Sequence, residues 1–317
     1  EGDDNFAESK IIEHIVAGGS CTVLGRAGTG KTRCLRMVEQ ALSASGVRVA
    51  KIALTHVAAR NCGEGAMTAH SWVLRHCING SFKGPGAILI DEISMIPASI
   101  IGAIEKLRLR DDIRIICFGD WDQLESVMNH WRAKALPGDV FREADLYRRW
   151  SHGKRFVLRR CRRSDEAHFD FYSSIIGATP ADILEMLVAR FPEHPGGMIG
   201  IFALHAKRIK INLACQRKAV SEFVARNEGE MVTITTQDGE HSIFAGTHLV
   251  GSSNKHKHIR NGSFLTVLGI SPSLKLCYLQ DDETKEEFEI DTDLLGPLVR
   301  LRHALVIHTA QGEPYQE

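Results

Sequence analysis

One octapeptide constrains this chain more than any other stretch: Gly25-Arg26-Ala27-Gly28-Thr29-Gly30-Lys31-Thr32 fits the pattern GxxxxGK[ST]. It follows an apolar segment at 21–24 that reads as a short strand. It opens a helical pattern over Lys31–Ala44. Glycines let backbone N–H groups wrap phosphate oxygens, and a helix N-terminus adds favourable partial charge. In such a loop the lysine neutralises the β and γ phosphates and the final hydroxyl reaches Mg²⁺. Gly25, Gly28, Thr29, Gly30, Lys31 and Thr32 are therefore candidate ATP-binding residues, with Thr32 also a candidate Mg²⁺ ligand. A chance match is expected in roughly one of a hundred sequences of this composition, and the strand–loop–helix context makes chance rarer still.

The other half of a phosphate site is a pair of carboxylates at the end of a neighbouring strand. Ala87–Ile90 is an apolar run followed directly by Asp91 and Glu92. Asp91 is placed to hold Mg²⁺, and Glu92 to orient or deprotonate an attacking water. A third element, 117–124, ends a further apolar run. There Gln123 could hydrogen-bond a γ-phosphate, or could be an incidental amide in a turn. Apolar runs at 21–24, 47–53, 87–90 and 113–118 alternate with helical patterns, which predicts βαβ units, a parallel sheet and an α/β fold. A boundary is expected near residue 150. Beyond it, 198–204 reads as a strand and 206–226 as a helix. Short β-like segments run from residue 231, with turn signals at Asn261-Gly262 and 281–283. Residues 263–293 read as a small antiparallel β unit inserted in the second domain, and 304–307 as a return to an apolar strand.

Composition narrows the class. The 317 residues carry 39 Lys+Arg against 39 Asp+Glu, with 44% hydrophobic and 25% charged residues. That suits a globular protein rather than a disordered, collagenous or coiled-coil one. No apolar run reaches the length of a membrane span, so no membrane partner is expected. Zero net charge gives no bulk electrostatic argument for nucleic acid. Locally, nine basic and two acidic residues lie between Arg142 and Arg163, and eight acidic residues and one Lys between Asp281 and Asp293. The eight cysteines show no metal-ligand spacing and read as buried, reduced thiols of an intracellular protein. No histidine pair has the spacing of a zinc helix. The N-terminus is acidic, unlike an export signal, and the first residue is Glu rather than Met, which reads as a fragment.

The ordered set of motifs resembles the superfamily 1 helicases, and within them the class B branch of Pif and RecD-like DNA helicases. The resembling segments are 28–32, Asp91-Glu92-Ile93-Ser94-Met95, Gly119-Asp120 with Gln123-Leu124, and His308 with Gln311-Gly312. Residues 53–59 and 68–72 look like the DNA-contacting segments of that family. Residues 158–165 look like the segment whose Arg enters the ATP site from the second domain, which aligns Arg162. The resemblance implies two RecA-like P-loop domains, at 1–150 and at 151–262 with 294–317. Residues 263–293 would then be an SH3-like insertion. It implies ATP with Mg²⁺, catalytic roles for Lys31, Asp91, Glu92, Gln123 and Arg162, and a nucleotide contact at Gly312. Single-stranded DNA, with RNA left open, would meet Thr55, Thr68, His70, Ser71, Trp72, His308 and Thr309 in a monomeric 5′ to 3′ translocase. Trp72 and His70 suit base stacking, although core packing is an equal reading for a tryptophan.

This chain departs from that pattern in several places. Glu8 stands where the family carries an adenine-reading Gln. Only 73–86 separates the His-Ser pair from the carboxylates, leaving little room for a strand-separating pin. Pro314 replaces a family Thr, and the family's last motif, with its second ATP-sensing Arg, is expected beyond residue 317. Another kind of P-loop ATPase accounts for the phosphate loop but not for 68–72. A helicase remnant that binds nucleic acid without turnover is the third reading.

Overall fold

All four residues of Ala87–Ile90 are buried, as a strand covered on both faces of a parallel sheet requires. The computed structural model describes residues 3–78, 86–123, 130–131, 134–135, 142, 144–190, 200–202, 204–253 and 255–306. The chain forms two compact units, Glu1–Pro192 and Glu193–Glu317.

In the first unit the strands are β1 (Thr22–Gly25), β2 (Val49–Ala53), β3 (Met67–Thr68), β4 (Ala87–Ile90), β5 (Arg114–Gly119), the short hairpin β6 (His130–Trp131) and β7 (Lys134–Ala135), and β8 (Arg155–Leu158). Six of them form one sheet in the order β3-β2-β4-β5-β1-β8, parallel throughout. The helices named below are α1 (Asp3–Val16), α2 (Lys31–Ala44), α3 (His56–Asn61), α4 (Ala69–Val73) and α5 (Ala98–Asp111). α2 buries Cys34, Leu35, Val38 and Leu42 against one face of the sheet, together with Ile11 and Ile15 of α1. α5 buries Ile100, Ile101, Ile104 and Leu107 against the other, with Tyr147 and Trp150. Both sets follow helical spacing.

The boundary expected near residue 150 falls instead after Pro192. β8 belongs to the first sheet, pairing Thr22 with Arg155 through Gly25 with Leu158. As an edge strand it buries only Leu158, so its charged outer face reads as a linker in the sequence.

The second unit holds β9 (Gly200–Phe202), the long helix His205–Arg226, β10 (Met231–Thr236), β11 (Gly239–Phe244), β12 (His248–Gly251), β13 (Phe264–Ser271), β14 (Leu276–Asp281), β15 (Glu287–Asp291), β16 (Val299–Leu301) and β17 (Ala304–Val306). β9 and β17 pair in parallel, and β10 and β11 form an antiparallel hairpin. β12 to β16 make a five-stranded antiparallel sheet in the order β15-β14-β13-β12-β16. The β unit read at 263–293 is therefore wider, because β12 and β16 close one side of it. Its core includes Leu249, Leu265, Val267, Leu279, Val299 and Leu301. All eight cysteines are unpaired; five are buried, Cys77 and Cys161 are half-buried, and Cys215 is exposed, unlike the uniformly buried set expected.

Candidate nucleotide-binding site

The phosphate loop joins β1 to α2 at the carboxyl edge of the first sheet. Gly30 caps α2 with φ of 92°, a left-handed conformation that glycine alone adopts without strain. At Gly25 a Cβ would lie 2.4 Å from Thr29 Oγ1 and 2.9 Å from Leu158 O, so the loop closes only on a residue without one. Thr29 Oγ1 donates to Arg26 O at 2.8 Å. The buried Lys31 Nζ donates to Gly25 O at 2.8 Å and Arg26 O at 3.1 Å. The lysine thus lies back along its own loop.

The carboxylates follow β4, two strands from β1. Asp91 is 2% exposed, and both its oxygens are engaged. Oδ1 accepts from Glu92 N at 3.0 Å, and Oδ2 accepts from Thr32 Oγ1 at 3.1 Å and from the Cys62 thiol at 3.5 Å. Burial holds the Asp91 carboxyl above its usual range, against the opposing effect of Thr32, Glu92 N and Lys31. Glu92 takes the left-handed φ of 50°, a conformation that costs a non-glycine residue roughly 1 kcal/mol or more. Its Oε2 is buried with no hydrogen-bond partner among the described residues. Burial, then the Asp91 charge beside it, pushes this carboxyl up to about 7. A carboxyl raised toward neutrality with its Oε2 uncommitted is the equipment of a general base. Gln123 closes a turn by donating its N–H to Asp120 O at 3.3 Å.

Arg162 was expected from the second domain; it belongs to the first unit, four residues beyond β8. The reason is the same edge strand: once β8 pairs with β1, the chain leaving Leu158 runs over the phosphate loop. Arg162 N donates to Gly28 O at 2.8 Å, and the Tyr172 hydroxyl donates to Ala27 O at 2.7 Å. The Arg162 guanidinium lies 3.4 Å from Glu8 Oε1, and Arg33 reaches the same carboxylate at 3.2 Å. Glu8 is 2% exposed.

The proposed nucleic-acid contacts divide. Thr55 caps α3 by accepting from Ala58 N at 3.1 Å. Thr68 is buried; it accepts from Ser71 N and donates to Ser71 Oγ at 2.9 Å. Its hydroxyl proton is spent within α4, so it does not serve as an outward donor. His70 and Ser71 are exposed on α4. Trp72 takes the core reading rather than the stacking one: it is 2% exposed and sits in the apolar cluster with Ile52, Ile88 and Ile90. His308, Thr309 and Gly312 lie outside the described residues. β3 stands four strand spacings from β1, about 19 Å, so the α4 residues and the phosphate loop occupy opposite flanks of one sheet edge. The sequence reading missed Cys62, Arg33 and Tyr172, none of which sits in a recognisable spacing.

A family model described as an AAA domain matches residues 7–146. The ATP-dependent DNA helicase PIF1 of Trypanosoma brucei brucei is 32% identical over 142 residues, 38% of this chain and 14% of that protein. The conjugal transfer protein TraA of Agrobacterium fabrum is 23% identical over 323 residues, 96% of this chain and 29% of that protein. Among solved structures, Pif1 helicase from Candida albicans superposes with a TM-score of 0.66 at 18% identity, covering 97% of this chain and 86% of that one. The chain shares its fold with the Pif1 helicases. Bacteroides Pif1 bound to ssDNA matches equally, with a TM-score of 0.66 at 18% identity over 100% of this chain and 85% of that one. The Pif1-like fold places the α/β architecture beyond the first sheet as well. The chain spans less than a third of the length of the curated relatives it matches.

Proposed function

We propose that this chain is the motor of an ATP-dependent DNA helicase. The carrying observation is Glu92: a residue at a left-handed φ, its carboxyl pushed up to about 7 and its Oε2 without a partner among the described residues, directly after the Asp91 that bonds Thr32 of the phosphate loop. Lys31 would leave its carbonyl partners for the β and γ phosphates, Arg162 would exchange Glu8 for the γ-phosphate, and Glu92 would take the proton of the attacking water. Thr32 Oγ1 and Asp91 Oδ2, 3.1 Å apart, are hard oxygen donors of the kind magnesium prefers. Those two residues would hold the ion, which when bound neutralises triphosphate charge.

The nucleic-acid reading rests on relatives whose names describe DNA helicases and on one bound to ssDNA. Single-stranded DNA would run along the α3 and α4 side of the sheet edge, meeting Thr55, His70 and Ser71. The direction would be 5′ to 3′, with repair or recombination as the setting and a monomer as the working form. ATP hydrolysis measured with and without a single-stranded oligonucleotide tests this directly. Strong stimulation supports the motor; turnover indifferent to DNA points to another P-loop ATPase; binding without turnover points to a remnant. Strand displacement on 5′-tailed against 3′-tailed duplexes tests the direction.

A further inference from the structure

Asp91 receives hydrogen bonds from three places, and one of them is outside the nucleotide machinery. Thr32 and Glu92 belong to the phosphate loop and to the carboxylate turn. Cys62 belongs to neither: it is the C-cap of α3, completely buried, and its thiol donates to Asp91 Oδ2 at 3.5 Å. A buried carboxylate oxygen is costly when short of donors. Thr32 Oγ1 cannot be counted on alone, since the same oxygen is the other hard donor of the proposed magnesium pair. The remaining donor on Oδ2 is the thiol.

The surroundings explain the residue type. Cys62 packs with Cys34, Ala58, Ala59 and Val38 in the apolar cluster on the α2 face of the sheet. A cysteine behaves there as a small apolar side chain with a weak S–H donor, so one residue both fills the core and holds the carboxylate. An alanine or valine would fill the space and leave the oxygen without that donor. The six-residue helix that ends at Cys62 begins at its N-cap Thr55.

We propose that Cys62 is a positioning residue whose thiol holds Asp91 Oδ2 in the orientation that, with Thr32, receives magnesium nucleotide. The proposal rests on the reading of Asp91 given under Proposed function. Groups that orient a metal-binding carboxylate are commonly worth tenfold or more in metal affinity.

The experiment measures the affinity of a fluorescent ADP analogue with magnesium and with EDTA, in the wild type and in Cys62→Val, Cys62→Ala and Cys62→Ser. No turnover is involved. The expected result is that magnesium's contribution to affinity falls about tenfold in the valine and alanine variants. Their binding in EDTA should stay at the wild-type level, and serine, which keeps an O–H donor, should recover most of the loss. Alanine covers the case in which valine does not fold. Full magnesium dependence in Cys62→Val or Cys62→Ala overturns the proposal alone, as does a serine variant no better than valine. Wild-type binding that ignores magnesium overturns the Asp91 reading itself, and the proposal with it.

Discussion

In the first unit Asp91 and Glu92 follow one another off the end of β4, two acids side by side with one oxygen left over. In the second unit Asp238 sits in the turn between β10 and β11 and meets Arg208 of the long helix through two bonds, at 2.6 and 2.8 Å. Both members of that pair are nearly buried, at 4% and 8% exposed. Like charges forced together store a tendency to take up a proton, while an acid matched by a two-pronged guanidinium gains fixed geometry instead. The first arrangement suits proton transfer, and the second suits holding a helix on a sheet.

The contrast breaks most sharply at Lys31. Lys31→Ala should lower ATP turnover to background, because the β and γ phosphates then lose the lysine that neutralises them in such a loop; turnover near the wild-type rate would remove the phosphate-loop assignment. Next, Glu92→Gln should cut hydrolysis by roughly 10²–10⁴-fold while leaving nucleotide affinity intact, as read by fluorescent-nucleotide titration. Loss of binding in equal measure would show that the two acids' roles are reversed.

The matching change in the second unit, Asp238→Ala, should act on folding. Stranding a buried Arg208 costs about 3–5 kcal/mol, visible as faster amide exchange across 205–244 with the first sheet unaffected. Replacing both partners by apolar residues of similar size should cost less than either single change; an equal or larger cost would mean the pair does more than fasten the helix. Trp72→Ala should destabilise the first unit by about 3–5 kcal/mol, with single-strand affinity of the folded fraction unchanged. Weakened affinity in a fully folded variant would return Trp72 to the nucleic-acid surface.

Acid should move the units in opposite directions, by smaller amounts. Burial and then the Asp91 charge push the folded Glu92 carboxyl up to about 7, above its ordinary 4.5. Its contribution is therefore full below 4.5 and is lost as pH rises through 7. His241, His248 and His303 are all lowered from 6.5, chiefly by burial. Their contribution is full above 6.5 and is lost as pH falls. Between pH 7 and 5 the second unit should lose protection from amide exchange while the carboxylate turn gains it. Parallel losses in both would break the comparison.

The phosphate loop, the Asp-Glu pair and the strands around them were legible because local spacing alone carries them. β8 was not, since an edge strand with one neighbour keeps charged residues and looks like surface. Arg162 was misplaced along with it. The long helix hid its inner face for a related reason. Arg208, Asn212 and Gln216 recur every fourth residue, a polar stripe that reads as solvent-facing, yet all three are buried. Asn212 bonds Leu301 O, Ala304 O and Ala304 N, and Gln216 bonds Ser242 O and His303. Periodicity locates a face but cannot tell an apolar partner from a set of backbone groups awaiting hydrogen bonds. Cys62 gave no signal because its partner lies 29 positions away in the chain.

The two bonds that Arg162 N and the Tyr172 hydroxyl make to Gly28 O and Ala27 O bear on how quickly a nucleotide is captured. A loop already fastened from outside has no closing motion to complete after encounter, and slow closure is what usually drags association below the encounter limit. Nucleotide arrival should then follow concentration in a single phase, with lifetimes on the protein, rather than rates of entry, distinguishing one nucleotide from another.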